Sequence, residues 1–497
     1  MKRSILAMLA LSLAYPVFAE DKATSGEPAG SPAASDATPT PAPAPQAAAP
    51  AEDPDHPAAI HFKGITLTPG GFIAAETVYR THNDNSDIAS SYSGIPFDGS
   101  ANSKLSEFRE TARQSRLNLL LQSKVGTWSG DAYYEVDFLS ATPTSNEVES
   151  NSFVLRQRCL FGEVTNNTGF TFMGGQSFSL LTLNRSGLSP LPKNLFIPLT
   201  IEGQYVVGYN WARQSSLRLE GEINKKVYLG LSFENPEETV SAINPPSGIF
   251  GLNTSPNATS PNSLFVLNNT PGANGISTDA APDIIGKIAI EPTAGVHIEV
   301  KGVASFFRDR LNGANLNKTG GGGGAGFVIN LGPKAKLIAE GLVGQGIGRY
   351  ASGQGVDLTI DPNGNPVPIK TQHAMGGLEI APNPNLDIYI YGGYEHYDQA
   401  DFLNSSGKPV GYGSPLIDNS GCGVESPSST QLCQAQTKEL YQFQPGFWYR
   451  FAQGPTGRFQ MGASYSYTQR QAWVGANGIA PKGTENMLML SFRWYLP

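Results

Sequence analysis

From Ile60 onward the chain alternates apolar and polar side chains with a period of two, the spacing of a strand with one face turned from water. In the last such segment Leu488, Leu490, Phe492, Trp494 and Leu496 occupy every second position, with Ser491, Arg493 and Tyr495 between them. Before it, Phe459, Met461, Ala463, Tyr465 and Tyr467 alternate with Arg458, Gln460, Ser464, Ser466, Thr468 and Arg470. Before that, Tyr441, Phe443, Phe447, Tyr449 and Phe451 alternate with Gln442, Gln444, Trp448 and Arg450. Along the chain the pattern predicts sixteen strands, near 66–80, 111–125, 129–139, 152–164, 168–177, 203–223, 226–236, 282–291, 296–307, 321–331, 336–346, 371–381, 386–397, 440–452, 457–470 and 485–496.

Alternation alone suits a soluble sandwich as well as a membrane barrel; the joins separate them. Short turns such as 126–128, 224–225, 292–295 and 382–385 follow even-numbered strands, and long polar segments such as 237–281 and 398–439 follow odd-numbered ones. Short turns at one end and long loops at the other are the habit of outer-membrane barrels. Beyond the N-terminal segment no run of about eighteen apolar residues offers a membrane helix. The predicted fold is therefore all-β, a transmembrane antiparallel barrel of about sixteen strands. Aromatic residues at predicted strand ends (Tyr205, Tyr209, Trp211, Tyr394, Tyr465, Tyr467, Trp494) fit interfacial girdles.

The N-terminus adds a compartment. Lys2-Arg3, an apolar stretch from Ile5 to Tyr15 and Val17-Phe18-Ala19 form a secretory leader over 1–19, with cleavage expected before Glu20. Residues 20–59 are rich in Ala and Pro and offer no large side chains for a core, as in a disordered periplasmic tether. The barrel domain then spans 60–497. The formal net charge is −8, and loss of Lys2 and Arg3 leaves about −10, which argues against nucleic acid as a partner. Cys422 and Cys433 lie in a polar stretch and could close a loop disulfide.

With the apolar residues outward, parity places Glu76, Arg80, Arg116, Asp131, Tyr133, Glu135, Asp137, Arg156, Arg158, Arg450, Arg458, Arg470 and Arg493 on the lumen face. Closure makes the last strand a neighbour of the first, so these arginines gather on one wall, interrupted by the third-strand carboxylates. Such a wall draws anions, unless its arginines pair with the neighbouring acids and only stiffen it. Arg213 falls on the outward set of the predicted 203–223 strand and does not fit the scheme. Segment 177–202 is apolar and Pro-rich, unlike the other loops. It is expected to fold into the lumen, with Arg185 and Lys193 at the constriction.

Enzyme chemistry has little to stand on: GxSxG, HExxH, P-loop and dinucleotide motifs are absent, and the histidines are scattered. Gly320 to Gly324 lacks the Lys-Ser or Lys-Thr of a phosphate cradle and reads as a flexible or tightly packed wall position. No cofactor and no metal is expected.

The segments TPGGFIAAETVYR (68–80), GGQSFSLLT (174–182) and EGQYVVGYNWARQ (202–214) resemble the DcaP-like outer-membrane porins. That resemblance implies a homotrimeric channel for small organic anions such as dicarboxylates, with basic residues in the constriction; Arg185, Arg116, Arg156 and Arg158 are the positions it supports. The 20–59 segment departs from the pattern, offering no heptads for a helical periplasmic extension. The expected function is passive diffusion of small anionic or polar solutes across the outer membrane, in contact with its lipid. The alternatives are a sugar-selective channel, which needs an aromatic ladder along the lumen, where Tyr133, Tyr389, Tyr391 and Trp448 point inward; a non-conducting barrel adhesin or anchor; and a barrel enzyme with a strand Ser and His in a narrow, side-chain-filled interior.

Overall fold

The computed structural model describes residues 59–140, 143–145, 148–249 and 279–496; the expected leader and all but the last residue of the expected tether lie outside them. Sixteen antiparallel strands form the wall. They are β1 (Ile65–Arg80), β2 in two segments (Glu107–Thr111 and Arg116–Val125), β3 (Trp128–Asp137), β4 (Arg156–Asn166), β5 (Phe170–Phe178) and β6 (Arg213–Ile223). After them come β7 (Val227–Glu234), β8 (Asp283–Ile290), β9 (Val296–Leu311), β10 (Ala314–Asn330) and β11 (Ala335–Gln345). The wall is completed by β12 (Lys370–Asn383), β13 (Leu386–Tyr397), β14 (Thr437–Gly454), β15 (Gly457–Ala472) and β16 (Lys482–Tyr495). Each strand pairs with its sequence neighbour, and β16 returns to β1 from Phe72↔Tyr495 to Arg80↔Met487. The ring is closed, so no strand presents an unpaired edge to lipid, where a bare N–H or C=O would be costly.

Alternation governs which side chains meet lipid. Ile73, Leu160, Leu217, Leu219, Leu231, Ile298, Val300, Phe443, Leu490 and Phe492 are exposed on the outside of the barrel. A continuous apolar band of this kind is intolerable in water and suits a bilayer. Tyr465 and Trp494 belong to it, both more than 40 % exposed.

Three local departures from the period-two reading have physical causes. The join between β9 and β10 is no long loop but the two-residue turn Asn312-Gly313, with φ of 50° and 82°. Asn-Gly is the pair that tolerates both left-handed positions of a type I′ turn. The glycine run therefore lies inside β10 rather than at its start. The second strand is broken at 112–115, where Gln114 turns inward and donates to the Ile201 carbonyl (2.5 Å). The sixth strand begins ten residues later than its alternation suggests: 203–212 runs inside the barrel, and Tyr205, Tyr209 and Trp211 are buried there instead of forming a girdle.

A loop folded into the barrel as the candidate functional site

The chain leaves the wall after Phe178 and rejoins it at Arg213, and the intervening segment 179–212 packs within the lumen. Its own composition drives this. Leu183, Leu191, Leu195, Phe196, Ile201, Val206 and Tyr209 are all buried, against Val78, Met173, Val328, Ile338, Met375, Tyr389, Trp448 and Met489 from strands around the ring. Removing that much apolar surface from water is the main stabilisation of the insert, at roughly 25 cal/mol per Å². The wall makes room by omission. A Cβ at Gly326 would meet Leu183, and one at Gly393 would collide with the Val207 carbonyl. Tyr133, Tyr389, Tyr391 and Trp448 face inward as parity predicts, but they are buried in the loop-to-wall contact. The aromatic ladder a sugar channel needs is therefore not formed by these residues.

A buried backbone away from water needs partners for its N–H and C=O groups. Here the wall's carboxylates accept from the loop. Leu180 N donates to Glu234 (2.8 Å), Asn184 N to Glu299 (3.1 Å), Gly208 N to Glu395 (2.7 Å) and Asn210 N to Glu340 (2.8 Å). Ser189 Oγ donates to Glu163 (2.8 Å). Tyr391 Oη accepts from Leu199 N (2.9 Å), while Trp448 Nε1 donates to the Leu199 carbonyl (2.6 Å). On β8, β9 and β11 two buried lysines finish the arrangement. Lys287 pairs with Glu299 (3.0 Å) and donates to the Thr182 carbonyl (2.7 Å); Lys301 pairs with Glu340 (2.7 Å) and donates to the Leu181 carbonyl (2.6 Å). His297 lies between Glu291 (3.0 Å) and Glu299 (3.3 Å). None of these lysines and glutamates was singled out from the sequence. The available signal was their alternation with outward Ile298 and Val300, which assigns them to the lumen without naming their partners.

The loop that follows β1 supports the same insert. Tyr92 Oη donates to the Tyr205 carbonyl (2.8 Å), and the Glu202 carboxylate accepts from Ser90 N and Ser90 Oγ (2.8 Å each).

The sequence-predicted site residues fall into three groups. The first is paired. Arg158 is 2 % exposed and donates to Glu135 (2.5 Å), Asp137 (2.9 Å) and Tyr205 Oη (3.0 Å), so it links wall to loop. Arg156 holds Asp137 in a two-pronged contact (2.8 and 2.9 Å). Arg493 pairs with Glu76 (2.7 Å) between the rings of Phe72 and Trp448. Arg80 pairs with Glu107 (2.9 Å), and Arg450 with Asp387. The second group is held by neutral contacts. Arg116 lies over the Phe72 ring at 5.3 Å and Arg458 over Tyr495 at 4.2 Å, each with a buried Nε lacking an acceptor among the described residues. Arg470 donates to Thr437 Oγ1 and the Ile95 carbonyl (3.0 Å each). Asp131 accepts from Gln122 Nε2 (2.8 Å). The third group is exposed on the inserted loop: Arg185, whose Nε donates to the Leu195 carbonyl (2.7 Å), and Lys193. Arg185 borders a cavity of about 210 Å³ shared with Lys336 and Glu379.

Arg213 opens β6 rather than sitting within it, and its guanidinium lies over Trp211 (4.8 Å) and Phe178 (5.4 Å), both members of the interior cluster. It therefore turns inward, where the extrapolated strand had pointed it outward. Cys422 and Cys433 are bonded, and Cys159 is a buried thiol on the lumen face.

No protein-family model matches the sequence, and no curated protein does. Solved structures resemble it in fold. The outer membrane channel DcaP of Acinetobacter baumannii superimposes with a TM-score of 0.61 at 17 % identity, over 88 % of this chain and 99 % of that one. Weaker likenesses are the anion-selective porin from Comamonas acidovorans (TM-score 0.46, 11 % identity, 87 % and 100 % covered) and OmpT of Vibrio cholerae (0.45, 10 %, 88 % and 99 %). The chain thus forms a closed sixteen-stranded barrel, similar in fold to the outer-membrane channel DcaP.

Proposed function

We propose that the protein is an outer-membrane porin through which small hydrophilic solutes diffuse passively, with a preference for small organic anions such as dicarboxylates. The observation that best supports this reading is the 179–212 segment, held inside a closed barrel and carrying exposed Arg185 and Lys193. Fixed positive charge beside a narrowed passage lowers the barrier for an anion and raises it for a cation. On this reading the paired arginines (Arg156, Arg158, Arg450 and Arg493) hold the wall and the insert, while Arg185, Lys193 and Arg116 set selectivity. The resemblance to DcaP-like porins favours a homotrimer.

The test is single-channel conductance of the refolded protein in planar bilayers under a KCl gradient. Stepwise conductance with a reversal potential of anion sign, moved toward zero by Arg185→Ala, is the expected outcome. Cation selectivity would keep the channel and reject the assignment to Arg185 and Lys193. A folded barrel without conductance would reject the porin and favour the adhesin or anchor.

A further inference from the structure

At the long-loop end of the wall, the last β4–β5 pair is Leu160↔Gln176, and β5 ends two residues later as the chain turns inward. The strand β4 continues beyond that point to Arg156, so a notch opens between the ends of β4 and β6. A cavity of about 520 Å³ occupies it, within the usual range of small-molecule sites. Gln157, Gln176, Gln204 and Gln214 line it together with Arg213 and Trp211.

The charges around this cavity are unequal in their partners. Arg156 is held by Asp137, and Arg349 by Asp283. Glu237 accepts from Asn235 Nδ2 (3.2 Å). Glu238 is 1 % exposed, and burial among Asp279, Asp357, Asp309 and Glu237 pushes its carboxyl up to about 10, so it is uncharged at neutral pH. Arg213 differs from them all. Among the described residues no carboxylate lies within ion-pair distance of its guanidinium, and its neighbours are the Trp211 and Phe178 rings, the arginines Arg156 and Arg158, Tyr205 and Cys159. A guanidinium presents a planar fork of donors, and a carboxylate fits it with two parallel hydrogen bonds. The ring faces beneath it fix its plane.

We propose that this notch is a docking site for a small carboxylate, whose carboxylate group pairs with Arg213 while its remainder lies against the glutamine amides. The proposal rests on the reading that the channel passes organic anions, and it gives such a solute its first stop at the rim, ahead of the inserted loop.

The experiment is calorimetric titration of succinate into the refolded full-length protein in detergent at low salt, with neutral succinamide as control. Folding of every variant is verified by its unheated mobility on an SDS gel. Saturable binding of succinate and none of succinamide is expected. Arg213→Gln should weaken it at least tenfold, Arg213→Lys should restore part of it, and Gln214→Ala should weaken it by about threefold. Undiminished affinity in folded Arg213→Gln, or no saturable binding to the wild-type protein, would overturn the site. The titration does not depend on conduction. Arg213-dependent binding to a barrel that passes no current would keep the site and reject the channel, and conduction without such binding would do the reverse.

Discussion

At the scale of single residues, a charge buried in this barrel is stabilised where several partners share it. Arg158 is the clearest case, shared by Glu135, Asp137 and Tyr205. Removing one member of such a group leaves the others uncompensated, typically at about 3–5 kcal/mol. Arg158→Met is therefore expected to lower the temperature at which the folded band is lost on unheated gels. Adding Glu135→Gln should return part of the loss, because Arg156 still holds Asp137; a double variant no better than the single one would contradict the shared role. Glu238 has the opposite problem. Its carboxyl is buried with neither oxygen hydrogen-bonded among the described residues, and its pKa rises to about 10. Here the folded state keeps a proton that the unfolded chain loses near the ordinary carboxyl value of 4.5, so stability falls as pH rises between those values. Asp357, pushed up to about 6 by burial, adds the same sign over a narrower window starting at 3.8. Glu238→Gln should strengthen the outer loops by on the order of 1–3 kcal/mol at neutral pH, since folding no longer has to protonate a carboxyl that is ionised in the unfolded chain. Limited proteolysis from pH 5 to 9 reads this: protection by the substitution should grow with pH, and protection independent of pH would refute it.

At the scale of elements, the sequence pattern carries far in the regular wall and stops where the chain departs from it. The alternation of Leu488 to Trp494 identifies β16, and the same rule yields sixteen strands with most boundaries within a few residues. It fails at Tyr205, Tyr209 and Trp211, because a segment buried among side chains on all sides has apolar residues for a reason unrelated to a pleat. It fails at 308–320, where Asn312-Gly313 allows a hairpin too tight for the polar run to advertise. Parity tells which side of the wall Glu299 and Lys301 occupy, yet their pairing with each other, with Lys287 and Glu340, and with the loop carbonyls depends on register across several strands. Gly393 is legible only in three dimensions: the Val207 carbonyl lies where its Cβ would be. Gly393→Val should therefore push the insert off its seat without breaking the wall. In bilayers the expected result is larger and noisier conductance steps. Unchanged conductance would mean that the 203–212 stretch does not limit the passage.

At the scale of the whole molecule, closure is what turns these strands into a membrane protein. Each strand is marginal alone, and its outward face is apolar, so an incomplete ring would expose both unpaired backbone and a band of leucine, isoleucine and phenylalanine. The seam between β1 and β16 bears this load at the point where the two ends of the barrel sequence meet, with Leu496 N donating to the Gly71 carbonyl (3.0 Å) and Arg493 gripping Glu76. The insert depends on the same seam. Val78 on β1 and Met487 and Met489 on β16 all belong to the cluster that buries it. Stability is thus not graded by strand number: fifteen strands are not a slightly weaker barrel but an open sheet whose interior loop has lost one side of its seat. Truncation after Pro481, which removes β16, is expected to abolish the fast-migrating unheated band and to leave the refolded protein aggregated. A truncated chain that kept this band and passed current would show that β1 and β15 can close without β16, and the register observed here would not be the one that sets the pore.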